Sequence, residues 1–91
     1  MLKLVWRNRA RHDVRRIIEP IAEDDPTAAL RLSDLIDSTA KRLTRHPDLY
    51  RSGRRAGTRE AVIHPNYILI YRVNADQVEV LAVVHSRRQY P

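Results

Sequence analysis

The chain has 91 residues, 43% of them hydrophobic and 31% charged, with two Gly, five Pro and no Cys, and a net charge of +6 from seventeen Lys and Arg against eleven Asp and Glu. That size and composition fit one globular domain over residues 1–91 and exclude a second core, a collagen-like or low-complexity chain, a disulfide framework and a thiol nucleophile. No apolar run approaches a membrane span, and Met1-Leu2-Lys3-Leu4-Val5-Trp6-Arg7 lacks a signal peptide's apolar stretch, so a cytoplasmic protein with no membrane partner is the expectation.

Leu2 to Trp6 alternates in a way that predicts a short strand, with Leu2, Leu4 and Trp6 on one side. Asn8 is then expected to cap a helix whose apolar positions Val14, Ile17, Ile18 and Ile21 recur at intervals of three and four, leaving Arg11, Arg15 and Glu19 outward. Pro20 lacks the backbone donor that an interior helical position uses, which predicts a kink there or an end at Glu19. Asp25-Pro26 is a second start signal, with Asp25 as cap and Pro26 at the first helical position. The helix that follows carries Ala29, Leu32, Leu35, Ile36, Ala40 and Leu43 inward to about Arg45, where His46-Pro47-Asp48 stops it.

Beyond Arg54 the apolar period becomes that of strands. Arg59 to His64, Tyr67 to Val73 and Val78 to His85 predict three strands joined by the turn-prone His64-Pro65-Asn66 and Asn74-Ala75-Asp76. Tyr67 to Tyr71 is apolar on both faces and suits a middle strand. The order β-α-α-β-β-β predicts an α+β domain, a helical hairpin packed on a twisted antiparallel sheet that the first strand completes.

The positive charge is almost entirely arginine, Lys3 and Lys41 being the two lysines, and the planar guanidinium matches phosphate or carboxylate in a way the point charge of lysine does not. Residues 1–23 carry +3, residues 24–44 carry −1 and residues 45–91 carry +4, which points to an anionic partner, nucleic acid or acidic protein, for the basic ends.

Several stretches together resemble the RelE/ParE family of type II toxin–antitoxin toxins, in its RelE-like, plasmid-stabilisation branch. They are Gly53-Arg54-Arg55-Ala56-Gly57-Thr58-Arg59-Glu60, His64-Pro65-Asn66-Tyr67, Tyr71-Arg72-Val73 and Val84-His85-Ser86-Arg87-Arg88-Gln89-Tyr90-Pro91. Upstream, Trp6, Ile21-Ala22 before Asp25-Pro26, Ala28-Ala29 and His46-Pro47 fit the same pattern, and Pro20 departs from it. The resemblance implies a small α+β fold in a toxin–antitoxin hetero-oligomer, neutralised by a cognate antitoxin. The family's members have two targets: RelE-like members cut messenger RNA on the ribosome, the first expectation here because a His, two Arg and a Tyr close the chain, while ParE-like members poison DNA gyrase, the alternative. A toxin relic that only binds antitoxin is a third reading.

Cutting RNA through its own 2′-hydroxyl requires a proton acceptor, a proton donor and cations around the phosphorane, and no metal or other cofactor. Arg59 and Arg88 are the candidate phosphate clamp and His85 or Tyr90 the proton-transfer group, an imidazole titrating nearer neutrality than a phenol. Arg72 is a further candidate, the preceding strands being expected to bring Arg59 and Arg72 near His85, and Arg54, Arg55 and Arg87 are candidates for holding RNA or a protein partner. Each has a plainer role beside it. His85 is equally suited to cap the sheet through a backbone hydrogen bond, Arg59 to a structural ion pair with a helix residue, and Tyr67 and Tyr71 to packing. His12, His46 and His64 lack the spacing of metal ligands.

Overall fold

The structure is a computed structural model and describes residues 1–87. In chain order it runs β1 (Lys3–Trp6), α1 (Asn8–Asp24), α2 (Pro26–Leu43), β2 (Arg51–Ser52), β3 (Arg59–His64), β4 (Tyr67–Val73) and β5 (Gln77–His85). The α+β class and the helical hairpin are as expected. The sheet differs in two respects. It has five strands in the order β1-β5-β4-β3-β2, because the two-residue β2 pairs antiparallel with β3. It is mixed rather than antiparallel, because β1 lies parallel to β5 from Lys3 opposite Gln77 to Trp6 opposite Val80. Parallel neighbours need a long crossover, which the helical hairpin and the strands after it supply.

α1 begins one residue earlier than a cap at Asn8 would allow. The Arg7 N–H is still bonded to the Val80 carbonyl at 3.0 Å while the Arg7 carbonyl already accepts from Arg11, so the strand passes into the helix with no residue to spare. Arg7 holds the cap position without a side-chain cap bond. α1 does not end at Glu19 but continues through Pro20 to Asp24. Pro20 and Arg16 are both exposed, so the Arg16 carbonyl that loses its donor faces solvent. The second start is as read: Asp25 accepts from the Ala28 N–H at 3.1 Å and Pro26 opens α2. α2 buries Ala29, Ile36, Thr39, Ala40 and Leu43, but Leu35 is turned out toward solvent.

The core lies between the hairpin and one face of the sheet. Ala10, Ile36, Ala40 and Leu43 meet Ala61, Leu69, Tyr71, Val78 and Val80 there, with Trp6, Ile17 and Leu32 packed at its margin. A smaller cluster of Ile68, Ile70 and Ala82 lies on the opposite face. β1 ends opposite Val80 while β5 continues to His85, which leaves a length of open edge. Asp13 of α1 covers part of it by accepting the Val83 N–H at 3.0 Å. Among the described residues no helix is long and apolar enough to cross a membrane.

Candidate functional site

The segment between β2 and β3 is shaped by two glycines. Gly57 has φ +79°, a left-handed conformation that a side chain strains, and a Cβ at Gly53 would collide with the Thr58 hydroxyl. The loop closes through Gly53 N–H to the Thr58 carbonyl at 2.7 Å, while the Thr58 hydroxyl donates to the Arg55 carbonyl at 2.7 Å. Arg54 and Arg55 are therefore presented at an exposed tip, and the chain re-enters the sheet at Arg59.

Arg59 faces the helix side, opposite Tyr71 on β4. One of its Nη atoms donates to the Tyr50 carbonyl at 2.8 Å and the other pairs with Asp48 at 3.3 Å. The structural ion pair foreseen for Arg59 thus exists, with its acid in the loop after α2 and not on a helix. Asp48 is 85% exposed, so the pair contributes on the order of 0–1 kcal/mol, and the bond to the carbonyl is what ties the loop down. Tyr71 is fully buried and donates its hydroxyl to the Pro47 carbonyl at 2.9 Å. Burial pushes its phenol above the ordinary value, and the nearby Arg59 charge pulls the other way. An open recess of about 520 Å³ lies here, lined by Asp48, Gly53, Arg55, Thr58 and Arg59 among others.

Arg72 follows Tyr71 and so projects from the opposite face, where it pairs with Glu79 of β5 at 3.1 Å. Glu79 is buried and also accepts from Asn74 at 3.0 Å and from the Arg7 Nε at 3.0 Å. The Arg72 hydrogen bond holds its carboxyl below the ordinary value against the opposing effect of burial, with Gln77 and the charge of Arg7 adding to it. Glu60, also buried, pairs with Arg51 at 2.9 Å on the same face.

The far end of the sheet holds a row that spacing alone did not expose. His64 on β3, Tyr67 on β4 and His85 on β5 lie side by side, because the short turn pairs His64 with Tyr67 and the next hairpin pairs Tyr67 with His85. Ring centroids are 6.0 Å apart for His64 and Tyr67, and 5.5 Å apart, edge to face, for Tyr67 and His85. Backbone donors fix both imidazoles: Asn66 N–H to His64 Nδ1 at 3.1 Å and Arg87 N–H to His85 Nδ1 at 3.2 Å. With Nδ1 accepting, each neutral ring carries its proton on Nε2 and can present a donor there. The backbone bond anticipated for His85 is present, with His85 as the acceptor. Turn positions alone do not reveal the row: counted from Val73 opposite Val78, an unbroken β4–β5 ladder sets Val84 opposite Tyr67, and the register shift between Ile70 and Tyr71 is what brings His85 there.

The expectation that Arg59 and Arg72 approach His85 is corrected. His85 is opposite Tyr67 and Arg59 opposite Tyr71, four residues or about 13 Å along β4, while Arg72 projects from the other face. Arg87 is exposed just beyond β5, and Arg88 and Tyr90 lie outside the described residues. Among the described residues no three His, Asp or Glu side chains gather as a metal site would need. Chemically, one end offers clustered cations, and the other offers two oriented imidazoles and a phenol.

The sequence profile of the ParE toxin of type II toxin–antitoxin systems (parDE) matches residues 4–90. The chain is 37% identical over 90 residues to the protein Y4kP of Sinorhizobium fredii, covering 98% of this chain and 93% of that one. It is 31% identical over 88 residues to Toxin RelE2 of Caulobacter vibrioides, covering 97% and 99% of the two. In three dimensions it is similar to a chain of the chromosomal ParDE system of P. aeruginosa, with a TM-score of 0.81 at 20% identity over 93% of this chain and 96% of that one.

Proposed function

This chain belongs to the RelE/ParE family of type II toxin–antitoxin toxins, and from that premise we propose that it poisons DNA gyrase by surface contact and is neutralised by a cognate antitoxin. The observation that carries the reading is the disposition of the strand arginines. Arg59 is bound to Asp48 and the Tyr50 carbonyl on one face, and Arg72 to Glu79 on the other. A phosphorane needs cations and a proton-transfer group converging on one point; Arg59 and Arg72 diverge, and Arg59 lies about 13 Å along β4 from His85. A target that is a protein holding DNA needs a shaped and charged surface, which the β2–β3 loop, closed by its own hydrogen bonds, and its arginines provide.

The second reading is a ribosome-dependent messenger-RNA endoribonuclease working by 2′-hydroxyl attack, and the His64–Tyr67–His85 row favours it. Two imidazoles with fixed tautomers and a phenol between them are suited to moving protons on and off a ribose and a leaving oxygen. In that reading Arg87 and the residues after it supply the cations.

Purified protein added separately to gyrase with supercoiled plasmid and to programmed ribosomes separates the two. The gyrase reading expects linear plasmid to accumulate and messages to stay intact. Cut messages with unaffected gyrase replace it with the second reading, and activity in neither assay overturns both.

A further inference from the structure

The net charge of the molecule is concentrated in one stretch. Residues 41–59 hold seven of the seventeen Lys and Arg and a single acid, Asp48, so they carry +6, as much as the whole chain, and the remaining residues balance ten against ten. In space this stretch is the last turn of α2, the loop after it, β2 and the β2–β3 loop. Lys41 and Arg42 at the C-terminal end of α2 also complement the helix dipole, but that accounts for neither Arg45 nor the hairpin arginines.

The ridge is held in shape from below. The Tyr71 hydroxyl anchors the Pro47 carbonyl, Arg59 anchors the Tyr50 carbonyl, and Arg42 reaches the Tyr50 hydroxyl at 3.4 Å. Lys41, Arg51 and Arg59 are paired with Asp37, Glu60 and Asp48. Arg42, Arg45 and Arg55 are exposed and make no ion pair among the described residues. Within residues 41–59 Leu49 is the one large apolar side chain that is exposed, and Met1, Leu2 and Leu4 line a recess that Arg42 and Arg45 border. A fixed, polar, arginine-rich surface matches the phosphodiester backbone, with little to read bases.

We propose that the 41–59 ridge is a backbone-contacting surface for duplex DNA, with Arg42, Arg45 and Arg55 as its phosphate ligands. The proposal rests on the gyrase reading for its biological setting, since that target holds DNA, but duplex binding can be measured without gyrase. Three phosphate contacts give a slope of log Kobs against log salt of about −3.

The test is fluorescence anisotropy of a labelled duplex of ~20 bp titrated with the full chain from about 50 to about 200 mM NaCl. The wild-type slope is expected at about −3, and Arg45→Ala and Arg55→Ala are each expected to reduce it by about one. Arg31→Ala, exposed on α2 away from the ridge, should leave it unchanged. Absence of duplex binding at the lowest salt, equal loss on Arg31→Ala, or preference for a polyglutamate or RNA hairpin of matched charge overturns the proposal. Duplex binding with gyrase untouched would fail the gyrase reading alone. Gyrase poisoning without duplex binding would fail this inference alone.

Discussion

The two ends of the sheet use hydrogen bonds in opposite directions. At the arginine end, side chains hold the backbone: the Tyr71 hydroxyl takes the Pro47 carbonyl and Arg59 the Tyr50 carbonyl. At the histidine end, the backbone holds side chains: Asn66 N–H fixes His64 and Arg87 N–H fixes His85. Groups that tie down a loop are committed to the fold, and groups that are themselves tied down keep a second atom for a partner. An arginine conspicuous in sequence can therefore be architectural, while a histidine that looks scattered can be presented.

This contrast is sharpest in substitutions that cost stability at one end and not at the other. The largest effect is expected from Tyr71→Ala, which removes a fully buried ring and orphans the Pro47 carbonyl, at about 3–5 kcal/mol in urea melts. Asp13→Ala comes next, because it strips the charged acceptor from the Val83 N–H on the open edge of β5, at about 1.5–3 kcal/mol. Tyr71→Phe keeps the ring and should cost about 1 kcal/mol. It should also flatten the alkaline limb: the wild-type phenol is raised in the fold, so its contribution is intact below the ordinary phenol value and lost as pH rises beyond it.

Glu79→Gln acts in acid. The carboxyl is held low in the folded state, so its stabilisation is present above the ordinary carboxylate value and disappears as pH falls through the lowered one. Unfolding midpoints followed downward from neutrality should fall more gradually in the variant than in the wild type. The smallest effect belongs to the histidine end, where His85→Ala should change stability by less than about 1 kcal/mol, because its imidazole accepts one hydrogen bond at the rim.

Much of this fold is legible in the sequence where a local signal and the tertiary answer coincide. Asp25-Pro26 opens α2 because cap and proline geometry are local, and the three later strands follow from their turns and alternation. What was not legible depends on distant partners. β1 lies parallel beside β5 only because the hairpin and meander bring it there, and β2 has just two residues, too few to show a period. Pro20 is tolerated because it is exposed, and exposure is decided by packing. For the candidate site, residue types were readable and their grouping was not. Arg59, Arg72 and His85 are close in sequence pattern, yet strand parity separates Arg72 from Arg59 by a face, and register separates Arg59 from His85 by about 13 Å.

If growth arrest comes from surface contact, as proposed above, the imidazole row is dispensable for it. Growth arrest by induced His85→Ala, with folding checked by thermal melting, tests it most directly. Arrest at the wild-type level, with messages uncut, is the predicted result. A folded variant that no longer arrests growth would contradict it.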